Sequence, residues 1–186
     1  MSRPIALELA RHLHMLTALT THLLEGDAKV GDTSATFTQV QVLKWLAAAP
    51  PRRAIDVARF LSASAPAATQ VIARLKAKGL LEAYPHPTDA RSGEFLVTAL
   101  GRRLVRAHDE RKLRLLERVL ADTSAEQRRA IQAGLAAAVE LLLQAETKQL
   151  DLCLHCGAHE SPHCVMRRHG HRCPTERGAT TLPPGA

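Results

Sequence analysis

Apolar side chains fall at Ile5, Leu9, Leu13, Leu16, Leu23 and Leu24, the spacing of a single helix face. This predicts a helix from about Pro4 to Leu24, broken by the stretch Gly26 to Gly31. A second helix is expected to open at Thr36, where Thr36 and Gln39 fit a capping box ahead of Val40, Leu43 and Leu46. It must stop before Pro50-Pro51. A short third helix carries Ile55, Ala58 and Leu61 on one face. Ser62-Ala63-Ser64 reads as a turn, with Ser64 the N-cap of a fourth helix that tolerates Pro66 in its first turn. That helix runs to about Lys78 and stops at Gly79.

Beyond Gly79 the period changes. Leu80 to Tyr84 and Glu94 to Val97 read as two short strands, with Pro85 to Gly93 as a non-helical hairpin tip between them. Thr98 caps a long amphipathic helix through Leu120. Thr123 and Glu126 fit a second capping box, opening a helix through Ile131, Leu135, Val139 and Leu142 to about Leu150. The periodicity then dissolves into Cys, His, Gly and Pro, and residues 174–186 are expected to be disordered.

Composition narrows the function. Of the 186 residues, 46% are apolar and 23% charged, enough to bury a core. The five aromatics (Phe37, Trp45, Phe60, Tyr84 and Phe95) are too few for a platform that stacks single-stranded bases. The net charge of +7 makes a polyanion a plausible partner. The excess is internal: residues 36–97 hold 8 basic against 4 acidic side chains, and residues 98–150 hold 10 against 7. That distribution argues for a folded basic face rather than a basic arm. No apolar run is long enough for a membrane span, and Glu8, Arg11, His12 and His14 interrupt any signal-peptide core, so a cytoplasmic location and no membrane partner are expected.

A helix, a turn, a helix and a two-stranded hairpin in that order form a winged helix-turn-helix. In this arrangement the first helix crosses the phosphates, the second enters the major groove, and the hairpin reaches phosphates or the adjacent minor groove. The chain here resembles the MarR family of bacterial winged-helix regulators, over roughly residues 5–148. Ser64 to Leu81 is similar to the family's recognition helix and its Gly-Leu exit, Asp89-Ala90-Arg91-Ser92 to its wing motif Asp-x-Arg-Ser, and Leu96 to Gly101 to its strand-to-helix junction. The resemblance implies a mainly α fold with a small β-hairpin wing, in which N- and C-terminal dimerisation helices intertwine. It implies an N-terminal dimerisation helix in residues 1–35, a DNA-binding domain in 36–98 and long dimerisation helices in 99–150. A Cys/His cluster in 151–173 and the tail 174–186 lie outside it.

Function follows as an expectation. The resemblance implies a homodimer that binds a pseudo-palindromic operator in double-stranded DNA and acts as a repressor responsive to a small-molecule effector, a metal or redox state. Arg91 resembles the wing arginine of the minor groove, and Asp89 the carboxylate that braces it. Ser64, Thr69, Gln70 and Arg74 occupy the polar face of the recognition helix, where Gln suits adenine and the Thr methyl suits thymine. Ala65, Ala67 and Ala68 stand where relatives often carry longer polar residues, so sparse direct readout and a larger role for DNA shape are expected. His12, His14 and His22 read better as exposed helix histidines than as effector ligands, and Trp45 better as core than as a ligand box.

Four cysteines remain, spaced Cys153-x2-Cys156-x7-Cys164-x8-Cys173 and interleaved with His155, His159, His163, His169 and His171. In a reducing compartment this clustering points to a metal or a thiol switch rather than a structural disulfide. Zinc held by the four thiolates is the leading reading, with a His substitute for one of them. An iron–sulfur cluster on the same ligands, or metal-free redox thiols, are the alternatives. His159-Glu160-Ser161-Pro162-His163 matches H-E-x-x-H formally, but Pro162 does not suit the helix that would bring both His to one zinc. No Walker loop, G-x-G-x-x-G or G-x-S-x-G occurs, and no enzyme is expected. The alternative function is a metal-binding interaction module on a winged-helix scaffold, without specific DNA recognition.

Overall fold

The computed structural model describes residues 3–47, 52–84 and 93–145. The chain runs α1 (Arg3–Leu24), β1 (Ala28–Val30), β2 (Thr33–Ala35), α2 (Phe37–Ala47), β3 (Arg52–Arg53), α3 (Ala54–Phe60), α4 (Ala65–Ala77), β4 (Leu81–Tyr84), β5 (Glu94–Val97), α5 (Ala99–Leu120) and α6 (Ala125–Ala145). This is a mainly helical fold with a small antiparallel wing, as the sequence pattern implied. The wing sheet has the order β3-β5-β4, with Leu81 opposite Val97, Tyr84 opposite Glu94 and Arg52 opposite Phe95. The expected hairpin tip, with Asp89 and Arg91, and the whole Cys/His cluster lie outside the described residues.

The core gathers Val40, Leu43, Trp45 and Leu46 of α2, Val57 and Phe60 of α3, Ile72 and Leu75 of α4, Leu80, Leu81, Val97, and Leu104 of α5. Trp45 is buried as expected, stacked on Phe60 at 4.6 Å between ring centroids, with the Arg52 guanidinium 4.2 Å over its ring. That stack decides the inward face of α3. The face expected from the sequence, Ile55-Ala58-Leu61, is corrected in part: Ala58 is buried and Leu61 packs on the core, but Ile55 is half exposed, and Val57 and Phe60 point inward. In a two-turn helix two stripes compete, and the larger Phe60 ring takes the core position.

Beyond the third wing strand β3, two local features were not expected. β1 and β2 form a hairpin where the sequence showed only a break, with Ala28 opposite Ala35 and both buried in the core. The second capping box also sits one residue later than predicted. Ser124 N–H donates to Gln127 Oε1 at 2.8 Å and Gln127 N–H donates to Ser124 Oγ at 3.1 Å. Thr123 is unavailable for capping because its hydroxyl donates to Leu120 O at 2.7 Å, closing the end of α5. The first box is as read: Thr36 N–H donates to Gln39 Oε1 at 3.2 Å, and Gln39 N–H to Thr36 Oγ1 at 3.4 Å.

Three helices project from this core with their apolar residues uncovered. α1 has no buried residue, and Ile5, Leu7, Leu9, Met15 and Leu19 are exposed along it. Leu113, Leu116 and Val119 at the end of α5 are exposed too, as are Ile131, Leu135, Val139, Leu141 and Leu142 on α6. No helix among the described residues is long and apolar enough to cross a membrane.

Candidate nucleic-acid interface

The interface is built around α4. Ser64 enters it in an extended conformation (φ −67°, ψ 153°) and its hydroxyl accepts from Ala67 N at 3.4 Å, with Pro66 in the first turn where its missing N–H costs nothing. One face of α4 is held by Ala68, Ile72 and Leu75, all buried. Ala68 is therefore a packing residue and not part of the contact face, which corrects its grouping with Ala65 and Ala67. Thr69, Gln70, Ala73, Arg74 and Ala77 are exposed on the opposite side.

The far end of α4 is closed by a Schellman arrangement. Leu80 N–H donates to Leu75 O and Gly79 N–H to Lys76 O, both at 2.9 Å, with Gly79 at φ +66°. Lys78, one of the local cations, is turned inward: its ammonium donates to Ser34 O at 2.8 Å and Gln39 Oε1 at 3.0 Å. This fastens the end of α4 to the β1–β2 hairpin and the start of α2. Thr98 completes the anchorage, its hydroxyl donating to Gly79 O at 2.7 Å while accepting from Gly101 N at 3.1 Å.

α3 leads into α4 through a second Schellman turn, in which Ala63 N–H donates to Ala58 O and Ser62 N–H to Arg59 O. Ser62 takes the left-handed position at φ +49°, a conformation usually left to glycine. The turn fixes the angle between the two helices of the motif. Sequence reasoning passed over Arg59, which projects from α3 with its side chain 72% exposed and only a loose 4.0 Å contact to Asp56. Its place on the first helix of the helix-turn-helix pair was the available signal.

Of the expected contact residues, the structure brings Ser64, Thr69, Gln70 and Arg74 onto one element, all exposed. Their chemical availability differs. The Ser64 hydroxyl is used in the cap, and the Thr69 hydroxyl donates to Ala65 O at 2.9 Å. Gln70 and Arg74 keep their polar ends without partners among the described residues. His12, His14 and His22 are exposed on α1, and no group of three or more His, Cys, Asp or Glu side chains among the described residues could hold a metal.

Comparison with known proteins agrees with this geometry. Residues 35–92 match the model of the MarR family. A MarR family protein from Bacillus stearothermophilus superposes with a TM-score of 0.61 at 18% identity, covering 76% of this chain and 98% of that one. Streptococcus pneumoniae FabT in complex with DNA superposes at 0.54 with 19% identity, covering 77% of this chain and 99% of that one. A variant of S. aureus MepR bound to an oligodeoxyribonucleotide gives 0.51 at 19% identity, covering 76% and 99%. No curated protein matches the chain in sequence.

Proposed function

We propose that this chain, whose residues 35–92 match the model of the MarR family, is a transcriptional regulator of that family, a homodimeric repressor that binds a pseudo-palindromic operator in double-stranded DNA. The observation that carries the reading is α4, anchored at both ends and presenting the free polar ends of Gln70 and Arg74. Solved structures of the same fold in complex with DNA support it. By the family resemblance Arg91 is assigned to the minor groove and Asp89 to its support, and Arg59 to a phosphate. The exposed apolar residues of α1, α5 and α6 support dimerisation, since such continuous faces are rarely left in water.

Two-fold symmetry then sets half-sites about one helical turn, ~34 Å, apart. Titration of the protein into labelled DNA from upstream of its own coding sequence, at several salt concentrations, tests this. Retention of one sequence over bulk DNA at physiological salt is expected; weak binding blind to sequence at every salt would overturn the assignment. A cytoplasmic location accords with a chromosomal target.

Cys153, Cys156, Cys164 and Cys173 are assigned to a bound zinc ion that makes the regulator metal- or redox-responsive. The support is their spacing and the shortness of the segment, too few residues to build an apolar core of its own. Metal analysis of anaerobically purified protein is the test. About one zinc per chain is expected, lost in the double variant Cys153→Ser, Cys156→Ser; iron with sulfide, or no metal, would replace this assignment.

A further inference from the structure

We propose that α4 reads DNA through two parallel rows: an apolar row of Thr69 and Ala73 that packs on thymine methyl groups, and a polar row of Gln70 and Arg74 that bonds purine edges. The proposal rests on the DNA-binding reading and deepens it by naming the bases.

Residues four apart on a helix lie one above the other, so Thr69 with Ala73 and Gln70 with Arg74 form neighbouring rows. All four are exposed, on the side away from the buried Ala68, Ile72 and Leu75. What separates the rows is the fate of the hydroxyl. Thr69 spends its proton on Ala65 O at 2.9 Å, so it has no donor left for a base and offers its γ-methyl group. Ala73 adds a second methyl one turn along. In the other row neither polar end has a partner among the described residues.

Each row therefore has a natural complement in the major groove. The thymine 5-methyl is the apolar group exposed there, and Ala and Thr methyls are its usual contacts. The Gln70 amide matches N6 and N7 of adenine, and the Arg74 guanidinium matches O6 and N7 of guanine. Ala73 and Ala77 are also small enough to let the helix backbone approach the bases closely.

The test uses a duplex recovered by repeated selection from a random-sequence pool. Single thymines in it are replaced by deoxyuridine, which removes only the 5-methyl group. Wild-type protein should bind about fourfold more weakly for each contacted methyl lost, the effect of burying one such group. For Thr69→Ser, which keeps the hydroxyl and drops the protein methyl, one of those penalties should vanish while the others persist. Replacing adenine by 7-deazaadenine should weaken binding by wild type but not by Gln70→Ala. A uracil duplex bound as tightly as its thymine parent would overturn the proposal and leave DNA binding intact. Failure to recover any preferred duplex would overturn the DNA-binding reading, and this proposal with it.

Discussion

Gly101 lies on the first turn of α5, and a Cβ there would meet Leu80 O at 2.4 Å and Val97 Cγ1 at 2.7 Å. The first contact is with backbone, so it cannot be relieved by rotating a side chain. Gly101→Ala should therefore destabilise the fold by about 1–3 kcal/mol despite alanine's better helix propensity. A thermal melt with an unchanged or raised midpoint would contradict this. Ser62 is the opposite case, an L-residue held at φ +49° in the α3–α4 turn. Ser62→Gly should stabilise by about 0.5–1 kcal/mol, since left-handed backbone strain disappears and no side-chain bond is lost. Urea unfolding followed by fluorescence checks it, with Trp45 as the single tryptophan reporter.

Between elements, a few polar contacts hold α4 in register with its neighbours. Thr98 both caps α5 and pins Gly79 at the exit of α4. Thr98→Val keeps the shape and loses both bonds, for an expected cost of about 2 kcal/mol; Thr98→Ser should recover most of it. α2 and α5 are joined by an ion pair, Lys44 Nζ to Asp109 Oδ1 at 2.7 Å, with Lys44 only 5% exposed. Asp109→Asn removes the carboxylate of this pair and should lower stability by about 1–3 kcal/mol. Because Lys44 is 5% exposed and Asp109 23%, added salt should weaken this pair less than a fully exposed one. A loss of stability that salt abolishes would instead mark a surface interaction.

For the whole molecule, the uncovered helices matter most. A single chain leaves Ile131, Leu135, Val139 and Leu142 of α6 in solvent, together with the apolar residues of α1. Sedimentation should accordingly report twice the chain mass. Leu135→Glu, at a position 45% exposed in the single chain, should shift the protein to monomer with little change in helix content. Operator affinity should fall by orders of magnitude, because two half-sites then bind independently. A Leu135→Glu dimer with full affinity would remove α6 from the interface.

Helix boundaries were legible in the sequence because capping is local. Thr36 with Gln39, Ser64, Gly79 and Thr98 act within a few residues of their own position, and each stands where the pattern put it. The positions of α4, β4 and β5 were legible as well, and with them the shared exposed side of Thr69, Gln70 and Arg74. Competition between groups for one position, near or distant, was not. Ile55 lost the inward face of α3 to Phe60 only because Trp45 lay opposite, and Thr123 gave up the α6 cap only because Leu120 O was in reach. Short Ala28–Val30 and Thr33–Ala35 have no strong strand pattern and are strands because α5 and α2 cover them. The burial of Ala68, the inward turn of Lys78 and the spent hydroxyl of Thr69 were likewise decided in three dimensions. Sequence names which side chains carry polar groups; only packing decides which of those groups are still free to meet a ligand.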